Sequence, residues 1–136
     1  MTTKTITHET AGGTLEIVVG EATVLQGMKR QMLQSEALAI IQKEDGTRKV
    51  PDEPDALGLY LLKRYTWPNC IAATVKSSKA LNHMELTFER FCQLPERFVA
   101  KWEQAVLELN PHWRLQGDTE EEEAEEKKDE PASKKE

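Results

Sequence analysis

The chain has 136 residues, 38% hydrophobic and 31% charged, enough for one domain with a real core and hardly enough for two. Its net charge of −6 resides wholly in residues 118–136, where ten acidic residues meet four lysines; of the 24 acidic and 18 basic residues in all, 14 of each remain in residues 1–117. A neutral body offers no positive face to neutralise phosphates, which argues against nucleic-acid binding, and no apolar run approaches the ~18 residues of a membrane span.

Residues 1–12, MTTKTITHETAG, are polar and threonine-rich and are expected to form a flexible N-terminus. TLEIVV (14–19), bounded by Gly13 and Gly20, is β-branched and partly alternating, which predicts one short strand. A lone strand must pair, either with residues 3–7 or with a partner chain. The first strong helix starts after Thr23, which forms a capping-box pattern with Gln26. Leu25, Met28 and Met32 fall on one face of it, Ala37, Ile40 and Ile41 extend its apolar surface, and Asp45-Gly46 ends it.

TRKVPDEPD (47–55) reads as a surface loop whose Asp55 caps a second helix, 56–65. Leu57, Tyr60, Leu61 and Tyr65 have helical spacing there. Leu59 and Leu62 make the helix apolar nearly all round, the signature of a central core helix. Pro68 is expected to turn Trp67 out of helical geometry and to open a new helix over 68–76. Residues 77–85 read as polar connection. Thr87 can cap a short helix, 88–93, with Phe88, Phe91 and Cys92 facing inward. After Leu94-Pro95, the residues Phe98, Val99, Trp102, Ala105, Val106 and Leu109 form a broad apolar stripe, stopped at Asn110-Pro111.

These elements predict a mainly α fold, a compact bundle of four to five short helices with a short N-terminal strand or hairpin, over residues 13–117. The acidic tail, 118–136, has no aromatic or β-branched aliphatic residue to offset its ordering entropy and is expected to be disordered.

Catalytic chemistry finds no foothold. His8, His83 and His112 are scattered, and with Cys70 and Cys92 they show none of the paired spacings of a zinc site. The two cysteines read as buried thiols in a reducing compartment, since no secretory leader opens the chain. No GxSxG, HExxH, P-loop or GxGxxG motif occurs, and sequence places no histidine beside Ser77 or Ser78. No enzyme activity, metal or other cofactor is expected.

The segment 85–113 has a helix-break-helix outline, but its Leu94-Pro95 turn is too abrupt for the usual DNA-reading motif. A small helical DNA-binding or host-directed regulatory protein stands as the alternative class. The candidate partner-binding residues are aromatics at helix breaks, Tyr65, Trp67 and Trp113, together with Met28 and Met32. Tryptophan and tyrosine anchor interfaces, and methionine makes adaptable contact surface. Each has a plain alternative as core filler.

LGLYLLKRYTWPNCIAATV followed by LTFERFCQLPERFVAKWEQAVLELNPHW resembles the tail assembly chaperones of long-tailed bacteriophages. The shared features are an apolar helix broken at aromatic-Pro, an LT-x-E-x-F-x-x-LP helix start and a tryptophan helix ending in Leu-Asn-Pro, over roughly residues 55 to 113. The family has no catalytic residues to carry across. The resemblance implies a non-enzymatic factor of the host cytoplasm, absent from the mature virion. Such a factor coats the tape measure protein, keeps it soluble and recruits tail tube subunits.

In many members a programmed frameshift yields a longer product whose extension contacts the tube protein, and SKKE (133–136) is compatible with slippery codons at Lys134-Lys135. Weak self-association is a further expectation; nucleic-acid and membrane partners are not expected.

Overall fold

Two strands open the chain, β1 (Thr3–Thr10) and β2 (Gly13–Gly20), joined at Ala11-Gly12 into an antiparallel hairpin. The structure is a computed structural model and describes residues 2–114; the predicted acidic tail lies outside the described residues. The hairpin register is continuous from Thr3 opposite Gly20 to Thr10 opposite Gly13, and Gly13 takes a φ of 130°, open to glycine at no steric cost. Residues 3–10, expected to be flexible, are thus the first strand of a sheet. A third strand, β3 (Thr74–Ser77), pairs antiparallel with β2 on its other side, giving the order β1-β2-β3.

This sheet corrects the expected fold class. The protein is a mixed α/β fold with a three-stranded antiparallel sheet, and not a mainly α bundle. The threonine-rich stretch alternates weakly because one of its faces meets solvent. Its inward side chains are Ile6 and His8, paired with Ile17 and Leu15. Burial of Leu15, Ile17 and Val19 on β2 stabilises the sheet once β1 and β3 supply its hydrogen bonds.

Helix α1 (Val24–Ile41) begins at Thr23 with both halves of the predicted capping box in place: Thr23 Oγ1 accepts from Gln26 N at 3.2 Å, and Gln26 Oε1 accepts from Thr23 N at 2.8 Å. A loop turned at Gly46 (φ 91°) leads to α2 (Pro54–Leu61). Here Glu53, not Asp55, is the N-cap residue, with Pro54 in the first turn.

The predicted break at Pro68 does not occur. A single π-helical turn, Leu62–Thr66, carries α2 directly into α3 (Trp67–Ala73), and Trp67 stays helical at φ −58° and ψ −51°. Proline lacks an N–H and crowds the carbonyl four residues back. The widened turn relieves this, and Trp67 N–H donates to Leu62 O, five residues back.

The centre of the core is also displaced from the segment first expected. On α2 only Tyr60 is buried, whereas every residue of α3 is. The small side chains Cys70, Ala72 and Ala73 let neighbouring elements close on α3 from several sides. A short 3₁₀ turn (His83–Glu85), α4 (Phe88–Phe91), α5 (Glu96–Leu109) and a 3₁₀ turn (Pro111–Trp113) complete the described chain.

Thr87 caps α4 as predicted, its Oγ1 accepting from Arg90 N, but Cys92 is exposed and does not face inward. On α5 the stripe packs against the sheet and α3, with Phe98, Trp102, Ala105 and Val106 buried and Val99 and Leu109 half-buried. Trp67, Phe91, Trp102 and Phe98 form a chain of ring contacts at 5.1–5.7 Å between centroids, the offset geometries that aromatic quadrupoles favour.

Candidate partner-binding surface

Helix α1 carries apolar residues on two sides, one inward and one facing solvent. Its buried or half-buried side is the row Arg30, Leu33, Gln34, Ala37, Leu38 and Ile41, packed on α3 and the π-turn. Its solvent side carries Leu25, Met28 and Met32, 75%, 60% and 59% exposed, with Val24 exposed beside them. Positions 25, 28 and 32 recur at helical spacing, so these side chains share one ridge. Large apolar groups grouped on a surface mark interaction sites more often than they occur by chance. Met28 and Met32 are therefore not core filler; the structure puts both where a partner can reach them.

Arg30, on the inward side of α1, is satisfied by a network that the sequence reasoning missed. Arg30 Nε donates to Asn69 Oδ1 at 2.6 Å, and Arg30 Nη2 donates to the carbonyl of Trp113 at 3.3 Å. Asn69 Nδ2 reaches Glu103 Oε2 at 3.5 Å, and Arg64 Nη1 donates to the backbone carbonyl of Gln34 at 2.7 Å. Burial, and secondarily the nearby Arg64, lower the pKa of the Arg30 guanidinium. The usable signal was the shared register of Arg30 and Gln34 with Ala37 and Ile41, which puts polar and apolar groups on one inward row.

Of the candidate aromatics, Trp67 and Trp113 are core residues, 7% and 5% exposed. Trp67 packs edge-on against Phe88 and Phe91, and Trp113 lies under the Arg30 guanidinium, 4.7 Å from ring centroid to Cζ. Tyr65 is half-buried. It lines an open apolar groove of about 370 Å³ with Leu61, Leu62, Leu107 and Trp113, and Asn69 and Glu103 are the polar groups at its wall. The structure thus brings Tyr65 and Trp113 to one groove, keeps Met28 and Met32 on a separate ridge, and sends Trp67 into the core.

Ser77 does acquire a histidine neighbour. Its Oγ lies 2.6 Å from His83 Nδ1 and accepts from the His83 backbone N–H at 2.9 Å. The pair staples the connection after β3, where Asn82 holds a left-handed φ of 49°. Burial, and then Lys29, depress the His83 pKa.

Cys70 is enclosed, and burial, with Glu103 second, pushes its thiol pKa well up, which leaves it protonated and unreactive. Among the described residues no three His, Cys, Asp or Glu side chains are grouped to hold a metal ion, and no helix is long and apolar enough to cross a membrane. No protein-family model, curated protein or solved structure matches this chain.

Proposed function

We propose that this protein is a non-enzymatic tail assembly chaperone of a long-tailed bacteriophage, and that it holds the tape measure protein through the exposed ridge of α1. The observation that carries the reading is the outward placement of Leu25, Met28 and Met32 on a helix whose inward row includes Arg30 and Gln34. A tape measure is a long amphipathic helix, exposed before the tube forms around it. An apolar ridge with unbranched methionines can pack against the apolar face of such a helix in many registers, helix against helix. The resemblance over 55–113 supplies the class of partner. Recruitment of tail tube protein, through a frameshifted extension, belongs to the same reading.

Co-expression tests it. The tape measure protein should be soluble with this chain and precipitate without it, and Met28→Lys/Met32→Lys should abolish the effect while the chain itself stays folded. The complex should tolerate moderate salt, because apolar burial holds it. Tight duplex-DNA binding that collapses between low and moderate salt, with no gain in tape measure solubility, would instead favour the regulatory alternative.

A further inference from the structure

The two edges of the sheet are built differently. β3 has four residues, and its register with β2 shifts between Val18 and Val19, the kind of irregularity that keeps an edge from accepting another strand. β1 has eight residues in unbroken register with β2, no proline and a single lysine. The Lys4 ammonium is bonded to Glu108 on α5, so it is drawn over the helix and away from the edge. Apart from Ile6 and His8 the whole strand is exposed. An edge of this kind leaves a row of N–H and C=O groups open to strand addition.

We propose that β1 pairs antiparallel with β1 of a second copy of this chain, about a two-fold axis at Ile6, making one six-stranded sheet. A two-fold axis normal to the sheet keeps inward residues opposite inward ones. Centred on Ile6, the pairing sets Ile6 against Ile6 of the second copy, Thr5 against its Thr7, Lys4 against its His8 and Thr3 against its Glu9. No acidic residue opposes an acidic one. Threonine pairs flank the axis on the solvent face, and the one apolar residue of the strand sits at the axis, where a second isoleucine covers it. The strand is complementary to itself, which selects a second copy as the occupant. The α1 ridge lies on a different element, so this pairing stands or falls independently of tape measure binding.

The test is the association state of the full chain, by sedimentation over a concentration series. The wild type should show a reversible monomer–dimer equilibrium. Thr5→Lys/Thr7→Lys opposes like charges at both flanking pairs and should weaken the dimer on the order of tenfold, as should Thr5→Glu/Thr7→Glu; an equimolar mixture of the two should recover a one-to-one heterodimer. Both positions are exposed, so the far-UV spectrum and melting temperature of each variant should stay near wild type.

Hydrogen exchange of the wild-type chain needs no substitution: amides of residues 3–9 should gain protection as concentration rises and lose it on dilution. A chain monomeric at every concentration overturns the proposal. So does a dimer that neither variant weakens, a mixture that gives no heterodimer, or β1 protection independent of concentration.

Discussion

Trp102 shows how much one buried side chain can join. It is fully enclosed between Phe91 and Phe98, and its indole N–H donates to Thr74 Oγ1 at 2.9 Å; that hydroxyl in turn donates to Cys70 O at 2.7 Å. Trp102→Ala should cost about 3–5 kcal/mol in chemical denaturation, the range for removing a large core aromatic. Asn110 does comparable work with polar groups. It stops α5 as the sequence suggests, but its side chain also accepts from Ala22 N at 2.8 Å and donates to Gly20 O at 3.1 Å, joining the end of β2 to the start of α1. Asn110→Ala should therefore destabilise by at least ~1–3 kcal/mol, the cost of stranding a buried polar partner, where a helix stop alone would cost little.

His83 sets a pH dependence. Its pKa in the fold is depressed, so the unfolded chain takes up its proton at higher pH than the native state does. The histidine contribution is therefore complete above the ordinary value of 6.5 and declines as pH falls below it. The lowered carboxyls of Glu108 and Asp45 come into play only in the more acidic range below 4.5 and 3.8. Melting temperatures measured between pH 7 and 5 should fall for the wild type and fall less for His83→Gln.

At the scale of the element, α1 carries its core contacts and its proposed contact ridge on different faces. Its inward row is held by the Arg30 hydrogen bonds and by burial of Ala37 and Ile41, so Met28→Lys/Met32→Lys should change stability by no more than about 0.5 kcal/mol, as surface substitutions do. On the proposed function, the same pair should remove tape measure solubilisation. If instead the double variant unfolds, the ridge is structural and its assignment as a contact surface fails. The opposite outcome is expected on α5, whose apolar stripe faces the core: Val106→Lys should prevent stable folding, because a charge would be buried without a partner. The two helices have similarly visible apolar spacing in sequence; α5 turns its stripe to the core, whereas α1 divides its apolar residues between the core (Leu33, Ala37, Leu38, Ile41) and solvent (Leu25, Met28, Met32).

For the whole molecule, the sheet predicts where protection from exchange is greatest. β2 lies between two strands, and its Leu15, Ile17 and Val19 are buried, so its amides should be among the slowest to exchange in the chain. The turn at Asp45-Gly46 and residues 47–53, almost all exposed, should exchange fastest among the described residues. An all-helical protein with a frayed N-terminus would reverse that order, with residues 3–20 exchanging at once, so one exchange map distinguishes the mixed fold from the bundle.

Signals confined to a few neighbouring residues were legible in the sequence by itself: the Thr23–Gln26 capping box, the Thr87 cap, the Gly46 turn, the α5 stripe and the stop at Asn110. Each depends on backbone groups within a turn or two of the residue that satisfies them, so local chemistry settles it. What only the tertiary structure decided depends on groups far apart in the chain. Thr3–Thr10 becomes a strand because β2 offers it hydrogen bonds, and Thr74–Ser77 because β2 has a second open edge, some sixty residues from its own position.

Pro68 remains inside a helix because burial of Trp67 and all of α3 favours a widened turn over a break. The orientation of α1 followed the same logic. Its apolar residues exceed what one face can hold, and the inward row is the one whose Arg30 reaches Asn69 and the Trp113 carbonyl, partners that no window of sequence around α1 contains.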